Sequence, residues 1–137
     1  MDMKGLLITF LLVTASAAAE EYTTGMVEKL IDARIAVLEE ESTQLDSAIL
    51  ILDSASLSAQ EQYEFIARSA FHATEQRLAA FGLTLKQLFF LEEKYSREIA
   101  LWLESNDEQA AMLALLEERV ESLQMEFDRI AATTASE

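Results

Sequence analysis

Almost nothing in this chain can stop a helix. Proline is absent, and glycine occurs only at Gly5, Gly25 and Gly82. Proline removes a backbone donor and clashes with the preceding turn, while glycine costs about 1 kcal/mol in a helix interior. A chain so poor in both keeps helix open along nearly its whole length. Strand-like alternation is missing, and Ala, Leu, Glu, Gln and Arg prevail. Cysteine is absent as well, so no disulfide can staple the fold and packing alone must hold it. The expected class is all-α: an elongated antiparallel bundle or hairpin array of about four helices.

The N-terminus has its own layout. Lys4 precedes the apolar run Gly5-Leu6-Leu7-Ile8-Thr9-Phe10-Leu11-Leu12-Val13, and small residues from Thr14 to Ala19 lead to Glu20. A charged start, a short apolar core and an A-x-A-like end describe a secretory signal peptide. Ala15-Ser16-Ala17 and Ala17-Ala18-Ala19 both satisfy the cleavage rule. The uncharged stretch from Gly5 to Ala19 is shorter than the roughly 20 residues that a spanning helix needs. Residues 1–19 are therefore expected to be removed, leaving 20–137 as one helical domain in the periplasm or outside the cell.

Net charge is −15, and removing the signal takes one Lys and one Asp, which leaves the balance unchanged. Such a surface repels nucleic-acid phosphates and anionic lipid, and favours basic proteins or peptides. Neither nucleic-acid binding nor permanent membrane insertion is expected.

Four helical stretches can be drawn. In the first, about 24–54, Ile31, Leu38, Leu45 and Leu52 recur every seven residues beside Val27, Ile35 and Ile49, a coiled-coil seam. Its middle, Glu39 to Gln44, is polar enough to bend. The second, about 59–81, starts at Ser58 with Glu61 as reciprocal cap and stops at Gly82, which suits a left-handed closing residue. In the third, about 85–104, Thr84 and Gln87 form a capping box and Leu83 and Leu88 a hydrophobic staple. The fourth, about 108–132, follows the turn residues Ser105-Asn106-Asp107. Its stripe is Leu113, Leu116, Val120, Leu123, Phe127 and Ile130, and its tail from Thr133 should fray. Short connections make successive helices antiparallel, most simply up-down-up-down.

Catalytic signals are thin. No cysteine nucleophile or glycine-rich phosphate loop exists, and no serine sits in a nucleophile elbow. The chain reads as a non-enzyme with no cofactor. His72, the single histidine, shares a helical face with Glu75, and together they could give two ligands to a divalent ion, one short of a convincing zinc site. The third helix is apolar around much of its circumference, because the neighbours Phe89 and Phe90 diverge by about 100°. Leu88, Phe89, Phe90, Tyr95 and Trp102 are accordingly the candidate anchors for a partner, which includes a second copy of the chain.

The segment Phe81-Gly82-Leu83-Thr84-Leu85-Lys86-Gln87-Leu88 resembles the Leu-Thr-x-x-Gln motif of the Spy/CpxP group of periplasmic helical stress proteins. Leu57-Ser58-Ala59-Gln60-Glu61 is similar to a degraded copy of it. The resemblance covers two helix starts, and the chain differs from that group in its acidity and its single histidine. It implies an antiparallel helical dimer with a cradle for unfolded clients, acting as a chaperone or as an accessory of envelope-stress sensing. Two other readings compete: a metal-responsive sensor or buffer using His72 and Glu75, and a structural coiled-coil subunit held by an uncleaved first segment.

Overall fold

The structure is a computed structural model that describes the backbone of residues 3–54 and 59–135. Side chains are described for 23–52, 61 and 64–133. All five helices of the described residues are α: α1 (Met3–Ser54), α2 (Ala59–Ala79), α3 (Leu85–Lys94), α4 (Ser96–Glu104) and α5 (Asp107–Ala135). No strand occurs among the described residues. The residues proposed as cleavage sites appear as backbone within α1, and the Ser58 cap lies outside the described residues.

α1 is the spine, in contact with each of the other helices. Its seven-residue seam does the packing, with Ile31, Leu38 and Leu52 buried, as are Val27, Leu30 and Val37. Small residues at Ala33, Ala36, Ser42 and Ala48, all buried, let neighbouring helices approach closely. The polar middle does not interrupt the helix. Arg77 of α2 reaches Glu39 at 3.3 Å and Glu40 at 3.7 Å, while Gln44 donates to Glu40 at 2.8 Å.

α2 runs antiparallel to α1. Leu78, near its end, packs with Leu30, Ala33 and Val37, and Ile66, nearer its start, with Ala48 and Leu52. The turn that follows is a Schellman closure. Leu83 N–H donates to the Leu78 carbonyl at 3.1 Å and Gly82 N–H to that of Ala79 at 3.0 Å. Gly82 supplies the required left-handed residue, with φ of +70°. Thr84 then starts α3 with the full capping box. Its hydroxyl accepts from Gln87 N–H at 3.1 Å, and Thr84 N–H donates to the Gln87 side chain at 2.9 Å. Leu83 and Leu88 meet in the core as the staple.

Three expectations need correction. The third stretch is not one helix: Tyr95, with φ −105° and ψ 19°, separates α3 from α4. Leu88, Leu91 and Tyr95 face Leu30 and Val37, whereas Trp102 and Leu103 face Val27, Ile31 and Leu113. The bend at Tyr95 lets both short helices lay their apolar sides on α1 as they cross it. α3 and α4 are thus an arch, not a traverse. α2 ends and α5 begins at the same end of α1, and α5 then runs parallel to α1. Leu113 packs with Val27, Ile31 and Leu38, and Phe127 with Ala48 and Leu52. The up-down-up-down order would have made α5 antiparallel to α1. Finally, the helix of α5 persists through Ala135, past the point where fraying was expected.

Candidate binding groove

α2 and α5 lie along the same side of α1, yet touch each other sparingly. Between them an open cleft of about 300 Å³ remains. Its floor is Leu45 with Glu41 and Gln44 of α1, one wall is Ile66, Ala67 and Ala70 of α2, and the other is Val120, Gln124 and Phe127 of α5. The alanines are the local cause: at Ala67 and Ala70 the wall has no side chain long enough to reach across to α5. Beyond the groove, beneath the arch, lies a smaller cavity of about 170 Å³ lined in part by Arg34, Glu92 and Glu117.

Arg34 and Glu41 link the two spaces. They stand seven residues apart, in register with Val27 and Ala48, so two charges interrupt a stripe that is otherwise apolar. Arg34 is forked to Glu92 of α3, with Nε donating to Oε2 at 2.8 Å and Nη2 to Oε1. Its guanidinium also lies 5.4 Å from the Phe89 ring centroid. The hydrogen bond to Glu92 raises the Arg34 pKa further, against the opposing effect of burial, so this cation is permanent. Glu41 has no such partner. Burial pushes its carboxyl above the ordinary range, and the charge of Arg34 only partly offsets that. Glu92, Glu41 and Glu117 all act on Arg34, so three carboxylates share the field of one cation.

The residues singled out in the sequence separate into three groups. Leu88 is 0% exposed and belongs to the core with Leu30 and Leu78, so it cannot anchor a partner. Tyr95 and Trp102 are half-buried against α1. The Tyr95 ring lies 5.5 Å from the Lys94 ammonium, and the Trp102 carbonyl accepts from the Asn106 side chain at 2.7 Å. Phe89 and Phe90 are the exposed pair, at 52% and 65%, although Phe89 is partly engaged by Arg34. Neither of them lines the groove.

His72 is exposed, whereas Glu75 is turned to α3, its Oε1 accepting from Leu85 N–H at 3.0 Å. That N–H is one of the orphan donors of a helix start, where a carboxylate is also favoured by the helix dipole. Glu75 thus has a structural task, and no group of three or more metal-ligating side chains converges among the described residues. No helix among the described residues is long and apolar enough to cross a membrane.

The groove residues carry little sequence signal. Leu45, Val120 and Phe127 belong to the expected stripes, but Arg34 and Glu41 would be found only by asking why charges occupy apolar register positions. Comparison with protein-family models, with curated proteins and with solved structures finds no match.

Proposed function

We propose that this chain is an exported, non-enzymatic helical interaction protein that holds an apolar stretch of another polypeptide, as a chaperone-like accessory of the cell envelope would. The observation that carries this reading is the groove between α2 and α5, an apolar cleft open along the flank of α1. A folded chain of this size normally closes its core, and apolar clefts left open are where ligands and partners settle. The exposed Phe89 and Phe90 extend the apolar surface at the arch. Export rests on the N-terminal layout, and the acidic exterior keeps such a sticky surface soluble.

The test uses chemically reduced insulin, whose B chain aggregates and scatters light. The full-length protein at equimolar ratio should slow the scattering, and Ala67→Trp, which fills the groove from an exposed wall position, should abolish the effect while leaving helicity unchanged. Scattering that proceeds at the same rate with and without the wild-type protein would remove this reading.

A further inference from the structure

Resting on the groove reading above, we infer that the occupant is a basic amphipathic helix, which lies along α1 between α2 and α5 and sets a Lys or Arg against Glu41. The shape comes first. α2 and α5 share one side of the spine α1 and touch each other only sparingly, which leaves a trough whose axis follows the helices. A rod fits that trough, and it would stand where a four-helix arrangement has its remaining member. The lining is apolar at Leu45, Ile66, Ala67, Ala70, Val120 and Phe127, which asks the occupant for an apolar stripe.

Charge selects the other face. Glu41 is half-buried at one end of the trough, and the cation that relieves it, Arg34, is already forked to Glu92. The two other basic residues with described pairings nearby are taken too, Arg77 by Glu39 and Glu40 and Arg119 by Asp46. Polar groups of the floor and wall face carboxylates as well, since Gln44 donates to Glu40 at 2.8 Å and Gln124 to Asp128 at 3.0 Å. Among the residues that line it, the site therefore offers acceptors to whatever enters and no cation to an acidic guest. With a net charge of −15 over the chain, an acidic or neutral helix would meet repulsion or indifference where a basic one is drawn in.

Two synthetic helical peptides decide it. They share one Leu/Ala face, and their polar faces carry either Lys or Glu. Fluorescein anisotropy with the full-length protein should show the Lys peptide binding at least about tenfold tighter than the Glu peptide. Glu41→Gln should weaken the Lys peptide roughly fivefold, and Glu108→Gln, at the distant start of α5, should not. Ala67→Trp and Gln124→Trp, which block the trough from exposed positions on opposite walls, should each prevent binding.

Equal binding of the two peptides would overturn the basic helix while leaving the groove reading in place. Binding of neither would bring down the groove reading itself. A Lys peptide weakened as much by Glu108→Gln as by Glu41→Gln, or indifferent to both tryptophans, would show diffuse attraction to a polyanion and overturn the proposal.

Discussion

Around Leu30–Val37, α1 is enclosed by short-range devices. The Schellman turn at Gly82, the capping box at Thr84 and the Leu83–Leu88 staple all bear on one small volume, to which the long-range Arg34–Glu92 fork adds a tie between α1 and α3. Around Glu41–Leu52 the same spine relies on two long helices that lie along one side of it and touch each other only sparingly. Local motifs specify angles and distances within a few residues of themselves. Packing between helices distant in sequence depends on side-chain length, and where α2 offers alanine the gap stays open. The first region is closed, and the second stays open.

A pair of truncations puts this contrast at most risk. Leu88→Ala removes a side chain with no exposure from the enclosed region and should cost about 3 kcal/mol in urea unfolding. Leu45→Ala, on the floor of the groove, already borders open space and should cost only about 1 kcal/mol. Equal costs would mean that the two halves of α1 are equally well packed.

The fork comes next. Glu92→Ala leaves the half-buried guanidinium of Arg34 without its main acceptor, with side chains of both residues only 23% exposed in the pair. The expected loss is about 2 kcal/mol, because a charge taken from water is left unpaired. If the unfolding midpoint does not move, the arch is held by its apolar contacts alone.

The same contrast explains what a reader of the sequence can foresee. Thr84, Gln87 and Gly82 are legible because a cap is a property of a few consecutive residues, and each takes the role its chemistry suggests. The heptad of α1 and the stripe of α5 are legible from periodicity. The break at Tyr95 is not, since neither proline nor glycine marks it and its cause is the curved surface that α3 and α4 must cover. Without that break, the reversal that makes α5 parallel to α1 is also hidden. Phe89 and Phe90 are both exposed, where their divergence on the helix left burial equally open, while Leu88 beside them turns inward. The groove escapes notice because no single segment contains it: its floor and walls come from three helices, from Glu41 to Phe127 in the sequence.

The smallest effect bears on Glu41 and has the opposite sign. Burial raises its carboxyl above the ordinary value of 4.5, so the folded chain holds this proton more tightly than the unfolded chain does. Its contribution to stability is therefore greatest below the unfolded value and is lost as pH rises through the raised one. At neutral pH the ionised carboxylate weakens the fold. Glu41→Gln should raise the urea midpoint modestly at pH 7, less at pH 5.5, and not at all at pH 4, each measured against the wild type at the same pH. A gain that is constant with pH would show that the amide acts by shape and not by charge. A gain that shrinks on acidification, joined to the weaker grip on a Lys-bearing helix, would show that Glu41 reduces the stability of the empty protein and is satisfied only when a cation enters the groove. Stability given up at a position that serves binding is a common trade in proteins that must stay open for a partner.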